Sequence, residues 1–229
     1  ANVTLWRGVV VENIDKQDDQ YLINVNSEKY LCNSLVIATG GLSIPKIGAS
    51  KFGYEIARKF DLSIVETFPA LVPLTFNEKI LIMCRELSGL SLGAIVSFNK
   101  TLFEEGMLFT HRGLSGPSIL QISSYWKLGN YININLSPHL NIFNLLEDRK
   151  ESNPKQDINT IIAEILPKRL AHMICSENNI NGNISELSNK NLIKLSDAIH
   201  SWVIKPTGTE GYRTAEVTLG GIDTDEISS

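Results

Sequence analysis

The chain has 229 residues, 43% of them hydrophobic and 20% charged, with a formal net charge of -4. That length can bury a real core in one large domain or two modest ones, and the slight acidity, with no basic stripe, sets nucleic acid aside as an expected partner. Cys32, Cys84 and Cys175 stand far apart with no CxxC spacing, which argues against a disulfide scaffold.

Residues 1–20 carry neither the basic start nor the apolar centre of a secretion signal, and no apolar run nears the length of a membrane span. A cytoplasmic location is expected, and the glycosylation triplets at Asn2, Asn99 and Asn183 carry no weight without a secretory route.

VTLWRGVVVENI (3–14) reads as strand, Lys16 to Gln20 as a polar turn, and YLINV (21–25) as a partly exposed strand. YLCNSLVIA (30–38) is apolar at consecutive positions, as in a strand covered on both faces. The first 38 residues thus predict a small antiparallel meander feeding a buried strand that ends at Ala38. After Thr39-Gly40-Gly41 comes a loop, SIPKIGAS (43–50). In FGYEIARKFDL (52–62) the residues Phe52, Ile56, Ala57 and Phe60 share one helical face.

Residues 62–76 return to extended character around Pro69 and Pro73. Residues 77–136 read as strand and loop, interrupted at 106–126 by a glycine-rich turn and the short apolar helix SILQISSYW. Ser137-Pro138 has the pattern of an N-cap with proline at the first helical position, which predicts a helix over 138–148. NPKQDINTIIAEIL (153–166) predicts the next helix. Pro167 ends it and begins another through Cys175, and SELSNKNLIKLSDAIHSWVI (185–204) holds one or two more. RTAEVTLGG (213–221) turns back to strand. A chain that begins almost in a strand and stops just after another reads as an internal piece of a larger protein.

Two stretches carry candidate chemistry. LVIATGG (35–41) ends an apolar run in a hydroxyl and two glycines, at the carboxyl edge where ligands of open α/β sheets bind; a plain tight turn is the alternative. In THRGLSGP (110–117), Gly113 and Gly116 permit a sharp loop, and Ser115 is placed to cap a helix starting near Pro117 or Ser118, whose free N–H groups suit an anion or a carbonyl oxygen. His111 is of the residue type that most often serves as a general acid, and is the candidate proton donor. The alternative is that His111 and Ser115 only brace the turn.

His139, His172 and His200 lack ligand spacing, so no metal site is expected. The densest basic cluster, Lys168-Arg169 with Lys155 and His172 nearby, reads as a solvated helical face. Glu210, Arg213 and Glu216 read as a solvated linker with one ion pair.

LVIATGGLSIPKIG (35–48), GYEIARKFDLSIVETFPALVPL (53–74), ELSGLSL (86–92), MLFTHRGLSGPSILQIS (107–123) and AEVTLGGI (215–222) occur in the order found in the HI0933-like (BaiN-like) flavoproteins, and the chain resembles that family. The resemblance covers essentially the whole chain but only the middle of the family's protein. It implies an α+β, mixed fold: a partial Rossmann-like FAD domain of the two-dinucleotide-binding type, with inserted β-barrel-like and helical subdomains. The segments would be 1–66 (FAD domain), 67–136 (barrel-like), 137–205 (helical) and 206–229 (return towards the FAD domain).

By resemblance, Val11 in VENI would meet the adenine, Ala38, Thr39, Gly40 and Gly41 would border FAD, and Gly220 and Gly221 would lie near the flavin. His111 and Ser115 stay the catalytic candidates from the residues themselves; the resemblance adds weight to their motif without assigning its role. The loop Ile44–Tyr54 departs from the family's hydroxyl- and aspartate-bearing pattern. The implied activity is hydride transfer between FAD and a small organic substrate, by enone reduction or amine oxidation, with NAD(P)H as electron donor. This piece, without the family's GxGxxG, is expected to be inactive and to lack FAD by itself, its partners being the rest of the same polypeptide. The alternatives are a non-catalytic substrate-capping module and a flavoprotein acting on RNA.

Overall fold

The computed structural model describes residues 3–228; the triplet at Asn2 lies outside them. The fold is mixed α and β, with three sheets and seven α-helices among the described residues. The chain divides into two compact units. The first comprises residues up to Gly41, Gly48–Glu66 and Gly220 onward; the second comprises Leu42–Ile47 and Thr67–Leu219.

The first unit is built on an antiparallel meander of β1 (Val11–Gln17), β2 (Gln20–Val25) and β3 (Glu28–Cys32). Its turns are made by Asp18 and by Asn26-Ser27, all at positive φ, a conformation that Asn and Asp tolerate better than most residues. Helix α1 (Phe52–Lys59) buries Ile56 and Ala57, and the meander buries Ile14 and Val25. Phe60 sets its ring edge-on to Tyr21 with centroids 6.0 Å apart, and Lys59 bonds Asn13 Oδ1 at 2.8 Å and pairs with Asp15. Near the carboxyl end, the Glu226 carboxylate accepts bonds from the Ser63 N–H and hydroxyl, both at 2.6 Å. The same bonds hold its pKa below the usual carboxylate value.

Two expectations fail here. Residues 3–10 form no strand, and neither do residues 34–41; the run meant to be a buried strand leaves Val36 84% exposed. Apolarity states what a segment can bury, whereas a strand also needs a hydrogen-bonded neighbour. Within this unit, the described strands offer these runs none.

The second unit carries a seven-stranded antiparallel sheet of β5 (Leu74–Thr75), β6 (Ser91–Phe98), β7 (Thr101–Thr110), β8 (Gly113–Ser115), β9 (Ile132–Asn135), β10 (Trp202–Ile204) and β11 (Gly208–Thr209). Its order is β10-β9-β6-β7-β8-β5-β11. β6 and β7 form its longest hairpin, turning at Asn99-Lys100 with Asn99 at positive φ. Along the sheet, Ala94, Val96, Met107, Phe109, Leu114, Ile132 and Ile134 are fully or almost fully buried.

Against it lie α2 (Glu78–Glu86) and α3 (Pro117–Ser123), followed by the helical block α4 (Ile142–Ser152), α5 (Ile158–Ala163), α6 (Lys168–Glu177) and α7 (Asn189–His200). One continuous apolar cluster joins the sheet to these helices. β4 (Ile64–Ala70) and β12 (Val217–Ile222), the strands along which the chain passes from one unit to the other, pair in a ribbon of their own.

Four helices differ from expectation. α5 covers only Ile158–Ala163 of the expected 153–166, because Asp157 caps it, accepting from the Asn159 N–H. α2 was read as strand and loop, yet Asn77 caps it, accepting from the Ile80 N–H, and Ile80, Met83, Cys84 and Leu87 follow the i, i+3, i+4, i+7 spacing of a buried helical face. α4 starts at Ile142, with Asn141 accepting from the Asn144 N–H. Ser137-Pro138 sits in a turn before it, where the Ser137 N–H donates to Asn135 Oδ1. The last expected helix ends at His200, because residues 202–204 pair with β9 as a strand.

Candidate functional site

Each unit contributes one stretch of interest, built by its own neighbours. In the first unit, Ala38, Thr39 and Gly40 are exposed, and Gly41 is partly so. Gly40 holds φ at +72° with open space where a Cβ would stand, so this backbone is accessible from outside. Beneath it lies Gly53 of α1, where an added Cβ would fall 2.5 Å from Thr39 Oγ1. The helix and the Thr-Gly-Gly segment therefore approach as closely as they do only because residue 53 lacks a side chain. Its role was not anticipated from sequence; the signal available was a glycine in the first turn of an otherwise good helix.

Val11 opens β1 opposite Val25 and is exposed. Gly220, at φ +81°, would place a Cβ 2.2 Å from the Glu66 carbonyl, so that glycine serves the close approach of β12 to β4. Gly221 is buried, with the Tyr54 ring 3.7 Å from where its Cβ would be.

In the second unit, Thr110 and Gly113 face each other across β7 and β8, so His111 and Arg112 form a two-residue hairpin turn. The Thr110 hydroxyl organises it, accepting from the Arg112 N–H at 3.2 Å and the Gly113 N–H at 3.1 Å. Arg112 pairs with Glu210 at 3.1 Å, and the Glu210 side chain is only 11% exposed. Glu210 is thus a partner of the turn, not a solvated linker residue. Arg85 donates to the His111 carbonyl at 3.4 Å, leaving the imidazole at an exposed position.

Ser115 does not cap α3. It lies in β8 opposite Leu108, and Gly116, at φ +90°, occupies the N-cap position with no side-chain bond. Ser115 is the last residue of an interior strand and stands one position before the cap, which Gly116 fills. His111 lies in the hairpin turn and Ser115 at the far end of β8, opposite Leu108, so the turn itself does not bring them together.

Other histidines have structural roles. The Nε2 of His200 accepts from the Ile142 N–H at 3.3 Å, leaving Nδ1 to donate to Asn135 Oδ1 at 3.1 Å. His139 Nε2 lies 2.9 Å from Glu104 on the surface. Among the described residues, no group of three or more His, Cys, Asp or Glu could hold a metal ion, and no helix is long and apolar enough to cross a membrane.

Cys84 and Cys175 are buried, which pushes their thiols up to about 12 and about 11, with the Asp157 charge adding to the effect at Cys175. Only Cys32 is partly exposed. A thiol-alkylating reagent at pH 8 is therefore expected to label one cysteine per folded chain and three in denaturant, read by intact mass. Labelling of Cys84 without denaturant would show that the core beneath α2 opens.

The model for the HI0933-like protein barrel and H2TH domain matches residues 68–217. The chain belongs to the HI0933-like family. Among curated relatives of this HI0933-like chain, the Escherichia coli protein named ribosomal RNA dihydrouridine synthase is 41% identical over 100% of this chain and 58% of its own length. The Haemophilus influenzae protein of the same name is also 41% identical, over 96% of this chain and 55% of its own. A 3-dehydro-bile acid delta(4,6)-reductase of Clostridium scindens is 24% identical over 98% of the chain and 58% of its own length. The chain thus spans little more than half the length of these relatives.

These relatives overturn the expectation that nucleic acid is not a partner class for this lineage, since the two at 41% identity are named for ribosomal RNA. Net charge misled because it is a sum over both units. The first holds 6 Lys and Arg against 11 Asp and Glu; the second holds 15 against 14. The acidity belongs to the first unit, and the HI0933-like domain itself carries no excess of negative charge.

Proposed function

We propose that this chain is part of an FAD-dependent oxidoreductase that reduces uridine to dihydrouridine in ribosomal RNA. The observation that carries this reading is the 41% identity, over the full chain, to a protein named ribosomal RNA dihydrouridine synthase. It displaces the small-substrate reading, for which the supporting relative is the bile acid reductase at 24%.

In this reading residues 1–66 belong to a Rossmann-like FAD domain, 67–136 to the barrel, 137–205 to the helical subdomain, and 206–229 return towards the FAD domain. The residues of the first unit fit such a cofactor in one physical respect: the Ala38–Gly41 backbone is exposed, with Gly40 at positive φ and nothing over its Cα. Ala38, Thr39, Gly40 and Gly41 would hold the dinucleotide through their backbone, with Val11 and the Gly220-Gly221 pair as further candidate contacts. When bound, FAD supplies the hydride for reduction of the uracil double bond, recharged by NAD(P)H. His111, exposed on its turn, is the candidate proton donor. Ser115 is the second catalytic candidate, from its place on β8.

The test uses the whole protein that contains this chain, incubated with FAD, NADPH and ribosomal RNA from cells lacking the corresponding gene. The expected result is a flavin absorbance spectrum and dihydrouridine in the nucleoside digest by mass spectrometry. A flavin-bound protein that leaves the RNA unchanged but reduces a conjugated steroid enone would return the reading to a small substrate. A protein that takes up no FAD would end the oxidoreductase reading.

A further inference from the structure

Within the second unit, α2 and α6 flank a cleft of about 760 Å³, inside the size range of cavities that hold small organic groups. Its floor is apolar: Ile82 and Met83 of α2, Leu87 just past its end, and Met173 of α6. Cations stand on its rim, Lys79 on α2 and Lys168 and Arg169 on α6, with His172 beside them. Two carboxylates share the rim, Glu86 and Glu177, and Glu177 lies 3.3 Å from Lys79.

Several features distinguish this rim from an ordinary solvated face. Lys168 and Arg169 occupy the first turn of α6, where the helix dipole disfavours cations and no acidic residue offsets them. The N-cap, Pro167, has no side chain able to cap the first N–H groups. Arg169 is fixed in place by donating to the carbonyls of Glu86 and Ser88 at 3.1 and 3.4 Å, so its charge is held at the cleft and its side-chain ordering is already supplied by the fold. Lys168 and His172 also line a second hollow of about 590 Å³, together with Asn159, whose Oδ1 is buried without a hydrogen-bond partner. The basic cluster read from sequence as solvated surface therefore edges two adjoining hollows.

Resting on the RNA-directed reading above, we infer that the α2–α6 cleft is a docking surface for the RNA substrate: Lys79, Lys168 and Arg169 take backbone phosphates, and the Ile82–Met83–Met173 floor packs a nucleobase. Charge complementarity argues for this occupant. Lys79, Lys168 and Arg169 outnumber Glu86 and Glu177 on the rim, Arg169 is held by its bonds with Lys168 beside it at the uncapped start of α6, and the apolar floor accepts the flat face of a base. An acidic peptide would satisfy the rim but leave the floor without a specific partner.

The test compares wild-type protein with Lys79→Glu/Lys168→Glu by fluorescence anisotropy, using labelled fragments of bacterial ribosomal RNA over a salt series. Both side chains are exposed, so the fold is expected to persist, and a thermal melt checks it. Lys100→Glu, on the β6–β7 turn away from the cleft, controls for charge alone. Loss of two phosphate contacts should weaken binding by about tenfold or more and reduce the log–log salt slope by roughly 1.5 to 2. An unchanged slope and affinity in the double variant, or an equal loss in Lys100→Glu, would overturn the cleft assignment while leaving the RNA reading intact. Wild-type protein without salt-dependent RNA binding would overturn both. Met173→Gln gives a second, charge-neutral variant, expected to weaken binding on the floor with little change in slope; no weakening there would remove the base-packing role.

Discussion

Gly113→Ala is expected to destabilise the second unit by at least about 3 kcal/mol, enough to leave much of it unfolded at physiological temperature. The new Cβ would lie 2.1 Å from the Leu74 carbonyl oxygen and 3.2 Å from the Phe76 ring, with φ at +150°. Neither obstacle can move cheaply: Leu74 is a fully buried strand residue paired with β8, and Phe76 is itself buried in the core. Gly113 also closes the hairpin that presents His111 and Arg112, so the candidate catalytic turn should fail with it. Urea unfolding followed by near-UV circular dichroism measures the effect. Gly89→Ala is the comparison, since Gly89 has a positive φ of +83° but nothing within 4 Å of its would-be Cβ. That substitution should cost only about 1 kcal/mol, from backbone strain alone. Equal losses at the two positions would mean that β5 and β8 are not packed as closely as described.

Phe109→Ala is expected to cost about 3–5 kcal/mol. Phe109 is fully buried in β7, and its ring stacks near Trp202 of β10 with centroids 6.2 Å apart and planes 25° from parallel. Removing the ring opens a cavity where the sheet and the helical block share one core, and these surroundings collapse only in part. The same urea series reports the stability, and Trp202, losing a neighbour, should shift its fluorescence in the folded state. A loss below about 1 kcal/mol would place the structural centre of the unit elsewhere. Because the cleft between α2 and α6 is framed by helices resting on this core, the variant should also weaken the RNA binding inferred for that cleft, through misplacement rather than loss of charge.

Some elements could be read from short windows of sequence, and the reasons are physical. α1 was visible because Phe52, Ile56, Ala57 and Phe60 repeat at helical spacing within nine residues. The hairpin at His111-Arg112 was visible as a turn because Gly113 and Gly116 mark backbone that other residues cannot adopt. α2 carries equally local signals, an Asn cap and a spaced apolar face, but lies among prolines and strands that give the surrounding sequence an extended character. The strand at 202–204 was harder: Trp202, Val203 and Ile204 continue the apolar pattern of α7, and only pairing with β9 decides that they are extended.

The candidate sites divide along the same line. The amino-acid sequence by itself determined the family, the glycines at 40, 113 and 116, and the presence of a Lys168-Arg169 cluster. These depend on residue identity and on spacing within a few positions. Only the tertiary structure decided that Ser115 belongs to a strand and not a cap, that Gly53 makes room for Thr39, and that Glu210 neutralises Arg112 from 98 residues away. It alone placed Lys79 and Lys168 on one cleft and confined the acidity to the first unit. Partners brought together by folding are separated by tens of residues in the chain, and neither a periodicity nor a net charge records which distant side chains will share a surface.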